Sequence, residues 1–184
     1  MGWFSIWHWV LAFLFVVVPL SYIAVGVAIL ARRKPTDPGQ SGLGGWMLGV
    51  VALQLLLPIP FILGIGDLWR SYEDVKGTLH GPLSVGGQMG INAAALVLVL
   101  ITLVNLLRRS KHFPALYATQ WGVLFLLPAI QFLWEAWALD IEYRQLARFY
   151  HFGTVLGALL VAVVGGGAVW YVGSSRRSKN TFVR

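Results

Sequence analysis

Four polar side chains lie inside otherwise apolar runs, in two pairs of equal spacing. Gln88 and Asn92 are four residues apart, and so are Gln131 and Glu135. On a helix a four-residue step returns to the same face, so each pair predicts one polar stripe. Counting about 1.5 Å per residue from the outer ends of the two runs, Asn92 and Gln131 reach matching depths, roughly 10 Å in. Gln88 and Glu135 match each other nearer the surface. Asp67, on the preceding run, falls in the same zone, as do His8 and His151 on the first and last runs. Facing stripes of this kind would form a polar, weakly acidic pocket that could hold a cation, a proton or a small polar solute. Ionisable groups at membrane depth are functional candidates by default. The competing reading is packing, the commoner role, in which amides on facing helices hydrogen-bond and act as glue. Gln54, near mid-depth, is expected to make a single interhelical contact, with the carbonyl freed by Pro58 as candidate partner.

Other chemistry is weaker. His8, His80 and His151 would share one side, where three imidazoles could ligate zinc or copper. No two stand at close ligand spacing, and His8 fits an aromatic belt with Trp7 and Trp9. These three are weak candidates, and no metal is assigned. The chain has no Cys, which excludes disulfides, thiolate sites and Cys nucleophiles. It has no nucleophile elbow or metalloprotease helix. Gly42-Leu43-Gly44 follows no strand and so is not a dinucleotide loop. No catalytic residue and no cofactor is assigned.

The elements that would position these residues follow from hydropathy. Of 184 residues, 58% are hydrophobic and 11% charged, against roughly a quarter charged in soluble domains. Five apolar runs, residues 6–31, 44–69, 83–107, 115–137 and 149–172, with Asp67 in the second and Glu135 in the fourth as their only formal charges, each have room for a membrane-spanning helix of about 20 residues. Trp46 and Trp69 bracket the second as interfacial aromatics. The first lacks basic residues before it and a small-residue cleavage site after it, so a retained anchor is expected. No polar stretch is long enough to close a separate core.

Charge sets the orientation. With the N-terminus outside, Arg32, Arg33, Lys34, Arg108, Arg109, Lys111, Arg176, Arg177, Lys179 and Arg184 lie on the inner side. Only Arg70, Lys76, Arg144 and Arg148 lie outside. Basic residues concentrate on the cytoplasmic side of membrane proteins, so five crossings, N-out and C-in, are predicted. The net charge of +7 belongs to this pattern and to anionic headgroups rather than to nucleic acid. Residues 32–43 read as a Pro/Gly/Ser linker and 173–184 as a basic cytoplasmic tail. Small residues recur four apart at Ala24 and Ala28, Gly45 and Gly49, Gly86 and Gly90, and Gly153 and Gly157, flat strips for close helix approach. Gly165-Gly166-Gly167 predicts a bend or very close packing.

Three stretches carry a family likeness: Gly42-Leu43-Gly44-Gly45-Trp46, Arg108-Arg109-Ser110-Lys111-His112-Phe113-Pro114-Ala115-Leu116-Tyr117, and Ser175-Arg176-Arg177-Ser178-Lys179-Asn180-Thr181-Phe182-Val183. Together they resemble the bacterial membrane proteins grouped as domain of unknown function 2569, from Gly42 to the C-terminus. The resemblance implies a four-helix membrane fold, with residues 6–31 as an addition. It departs at Val169-Trp170-Tyr171, where the family has Trp-x-Pro-Tyr, and at Gln88, where the family tends to place an acid. It implies no activity.

The expectation is therefore an all-α, five-helix bundle in the bacterial inner membrane. Its expected role is a non-enzymatic accessory or scaffold subunit, with the lipid bilayer and other membrane subunits or a second copy as partners. The alternative is a small-solute or ion transport component using the pocket of Gln88, Asn92, Gln131, Glu135 and Asp67.

Overall fold

The computed structural model describes residues 47–142 and 152–182, and all the regular structure among them is helical. The first run, linker 32–43, His8 and His151 lie outside the described residues. The elements are α1 (Met47–Leu56), α2 (Pro58–Val75), α3 (Gly81–Leu107), α4 (Phe113–Leu139), α5 (Phe152–Ser174) and a short α6 (Arg176–Thr181). Three stretches are long and apolar enough to cross a membrane: Met47–Val75, Gly81–Leu107 and Phe113–Leu139, with a shorter apolar run at Leu159–Ser174.

The second run is not one continuous helix. Pro58 has no N–H to give the Gln54 carbonyl, so the ladder stops there. Leu57 still closes its own bond to the Leu53 carbonyl at 3.0 Å. Pro58 and Pro60 then occupy the first turn of α2, where backbone donors have no helical partner anyway. Beyond Trp69 the helix continues to Val75. Pro82 and Pro114 likewise sit in the first turns of α3 and α4.

The connection between α3 and α4 is fixed by its backbone. Arg109 adopts a left-handed conformation, φ 54°. Its N–H bonds the Leu106 carbonyl at 3.0 Å, and the Ser110 N–H bonds Asn105 at 2.9 Å. This pair of bonds satisfies carbonyls that a helix end leaves open. It returns the chain at once, so α3 and α4 run antiparallel. Asp140, φ 53°, closes α4 in the same way, with Ile141 bonding the Ala136 carbonyl at 3.1 Å.

α2 packs along α3, α3 along α4, and α4 along α5, while α1 touches α2 and α3. One end of the bundle carries Arg108, Arg109, Lys111, Arg176, Arg177 and Lys179 and is called here the basic end. The main buried cluster lies towards that end: Met47, Val50, Leu106, Phe113, Tyr117, Ala118, Trp121, Val169, Val172 and Phe182. The stretch from Arg176 is not simply a tail. Ser175 is extended, α6 turns back, and Phe182 is fully buried with its ring 4.6 Å from Phe113. Away from this cluster the apolar side chains face outward: Leu48, Ile62 and Leu63 are 58%, 57% and 63% exposed. A surface this apolar is a liability in water and a solvated face in lipid.

Candidate functional site

Three buried stripes converge about 10 Å in from the basic end. On α1, Met47, Val50 and Gln54 share a face; on α3, Ala95, Val99, Thr102 and Leu106; on α4, Phe113, Tyr117 and Gln120. The only amides on these stripes are Gln54 and Gln120, and both are fully buried. They close on each other. Gln54 Nε2 donates to Gln120 Oε1 at 2.8 Å, and Gln120 Nε2 donates to Gln54 Oε1 at 3.1 Å. The second Gln54 N–H goes to the Val99 carbonyl at 3.0 Å. One side chain thus ties α1 to both α3 and α4. Three bonds at this depth offset the desolvation that an unpaired amide would suffer. Thr102 is also buried and donates to the Leu98 carbonyl of its own helix at 2.8 Å.

Gln54 was expected to make one interhelical contact, to a carbonyl freed by Pro58. It makes contacts on two helices instead, because the carbonyl Pro58 frees is its own and lies behind it. Gln120 was not anticipated. Depth arithmetic could have found it: Gln54 stands seven residues from Met47, and Gln120 seven from Phe113, so both lie about 10 Å from the basic end.

The outer polar residues are placed differently. Asn92 Nδ2 donates to the Gln88 carbonyl at 2.8 Å, along its own helix. Gln88, Asn92, Gln131 and Glu135 are all half-buried, and among the described residues no hydrogen bond joins the two stripes. Asp67 is exposed and pairs with Arg70 at 3.5 Å. Between the stripes lies Trp134. Its Nε1 donates to the Ser84 carbonyl at 3.0 Å, and its ring lies where a Cβ on Gly87 would be. The close-approach glycine of α3 is therefore Gly87. A Cβ at Gly86 or Gly90 would meet nothing within 4 Å. In the triple glycine, Gly165 receives the Trp121 ring, while Gly167 is open. His80 is exposed and precedes α3. Among the described residues no group of three or more His, Asp or Glu converges.

Two of the three stretches behind the family likeness meet at the basic end. Phe113 and Tyr117 of the second pack with Phe182 of the third, and Met47 directly follows the first. Tyr117 Oη, Trp121 Nε1 and Ser178 Oγ are buried in this region without hydrogen-bond partners.

No family model, curated protein or solved structure matches this chain.

Among the described residues, two grooves mark the outer surface. One, of about 410 Å³, is lined by Gly49, Val50 and Leu53 of α1 and Gly167, Ala168 and Tyr171 of α5. The other, about 270 Å³, is lined by Val97, Leu100, Ile101, Val104 and Asn105 of α3. Both are open on one side and almost wholly apolar, surfaces for acyl chains or another helix rather than a polar solute.

Proposed function

We propose that this chain is a non-enzymatic accessory or scaffold subunit of the bacterial cytoplasmic membrane, crossing it five times with its N-terminus outside and C-terminus inside. The observation that carries the reading is the closed amide pair. The amides about 10 Å in from the basic end, Gln54 and Gln120, are turned onto each other and onto the Val99 carbonyl. A permeation path would need polar groups at that depth facing a space; here they hold three helices together. The orientation is supported by the alternation of charge. Arg108, Arg109, Lys111, Arg176, Arg177 and Lys179 fall at one end, and Asp67, Glu73, Asp74, Asp140 and Glu142 at the other. The likeness to the domain of unknown function 2569 proteins agrees with a helical membrane fold.

The test is affinity capture of the full chain in mild detergent, followed by mass spectrometry. A stoichiometric membrane partner that is lost when Gly153 is made bulky supports the scaffold. The alternative, solute or ion transport through Gln88, Asn92, Gln131 and Glu135, is separated by Glu135→Gln. Uptake that changes in cells carrying that variant favours transport; unchanged uptake with a captured partner favours the scaffold.

A further inference from the structure

We infer that the α3–α4 turn and α6 together clasp the headgroup phosphate of an anionic phospholipid at the basic end of the bundle. Apolar contacts draw the two segments together. Leu106 and Phe113, on either side of the turn, share one buried cluster with Phe182, and the rings of Phe113 and Phe182 lie 4.6 Å apart. Ser178 and Thr181 are buried as well, which fixes the face that α6 turns inward. The basic side chains of the same segments are thereby gathered at one place: Arg108 and Arg109 on the turn, both exposed, and Arg176, Arg177 and Lys179 on α6. The acids among the described residues, Asp67, Glu73, Asp74, Glu135, Asp140 and Glu142, all lie towards the opposite end, where Asp67 pairs with Arg70 and Glu73 with Lys76.

Five like charges gathered by apolar contacts repel one another, and no described acid offsets them. The sequence places residues 32–41 on the same side, but that stretch brings Arg32, Arg33 and Lys34 with Asp37 and so adds net positive charge. What adjoins the cations identifies the counter-charge. Leu107 directly precedes the turn and Trp170 lies in the last turns of α5, and both are exposed. In a bilayer such side chains stand among acyl chains and at the interface, which puts the neighbouring cations at headgroup level. An arginine fork takes two phosphate oxygens at once, so one phosphate can bridge the turn and α6. Docking of α6 then depends on lipid: an anionic headgroup closes the clasp, whereas a zwitterionic one brings its own ammonium and cancels less of the repulsion. This rests on the chain crossing a membrane and is independent of any scaffold partner.

The full chain is reconstituted in nanodiscs of phosphatidylcholine alone, or of equal parts phosphatidylcholine and phosphatidylglycerol, and digested with trypsin. Mass spectrometry follows release of the C-terminal fragment by cleavage after Arg176, Arg177 or Lys179. Such cleavage tracks how often α6 opens. Release is expected to be about tenfold slower in the anionic discs, and high salt should close the difference. Arg108→Gln/Arg109→Asn removes the charge of the turn and keeps its backbone, because Asn accepts the left-handed conformation at 109. In that variant the anionic discs should protect no better than the neutral ones, with helical circular dichroism unchanged; Arg108→Gln alone should lose part of the protection. Protection that persists in both variants overturns the inference, because α6 then adsorbs to the anionic surface by itself. Equal release from both lipids in the parent chain overturns it, as does equal protection by inorganic phosphate added to neutral discs. A chain that enters neither disc contradicts the membrane crossing itself, and the clasp with it.

Discussion

Replacing Gln54 and Gln120 by Met, singly and together, tests whether the amide pair is mutual support or a pair of independent contacts. Met keeps the unbranched shape and removes the polar atoms. Gln120→Met deletes two hydrogen bonds and strands Gln54 Oε1, while Gln54 Nε2 keeps the Val99 carbonyl. Gln54→Met deletes all three and strands both polar atoms of Gln120. Side-chain hydrogen bonds within membranes average roughly 0.6 kcal/mol. The first variant is therefore expected to lose about 1 kcal/mol and the second about 2 kcal/mol. The double variant leaves no stranded amide, and its loss should fall below that of Gln54→Met alone, because replacing both partners removes the desolvation penalty with the bonds. The coupling energy is then on the order of 1–2 kcal/mol. Reversible unfolding in mixed micelles, read by circular dichroism, gives the four stabilities. If the double variant loses the sum of the two singles, the amides are not a closed unit and the reasoning fails.

Other substitutions separate residues that sequence spacing treats alike. Gly87→Ala drives a methyl into the Trp134 ring and disturbs its bond to Ser84, costing on the order of 2 kcal/mol in the same unfolding assay. Gly86→Ala, with nothing within 4 Å, should be neutral or gain up to about 1 kcal/mol. Tyr117→Phe removes a buried hydroxyl that neighbours Trp121 without a hydrogen bond of full geometry, so stability is expected to hold or rise by about 1 kcal/mol; a loss of that size would mean the hydroxyl is satisfied. Phe182→Ala vacates the fully buried aromatic site beside Phe113 at a cost of about 3 kcal/mol. It should free α6, and limited trypsin digestion would then cut after Arg176, Arg177 or Lys179 faster than in the parent.

Hydropathy made the helical architecture legible, because long apolar runs of this length have few alternatives to a helix. The spans at Gly81–Leu107 and Phe113–Leu139 differ from the sequence expectation by two residues at most at each end. Proline chemistry was read only halfway. Pro58 was seen to free a carbonyl, but the consequence is a break at Leu57 and a fresh helix start with two prolines in its first turn. The depth argument paired residues at the outer end and left Gln54 without its mate, because Gln120 is a lone amide with no polar neighbour four residues away. The glycine strips were read from spacing, yet spacing cannot show where a Trp ring lands. Gly87 and Gly165 are the sites of close approach because Trp134 and Trp121 lie on them. The basic tail was read from its charge. Its buried face, Ser178, Thr181 and Phe182, is one short helix stripe hidden among Arg and Lys.

The central claim is that α3 carries the chain from one side of a bilayer to the other. In the Cys-less background, Thr78→Cys and Arg109→Cys stand in the connections before and after that helix, and both positions are exposed. A membrane-impermeant maleimide applied to intact spheroplasts should label Thr78→Cys at once and Arg109→Cys only after the membrane is opened. Equal labelling of both positions before permeabilisation would contradict the account.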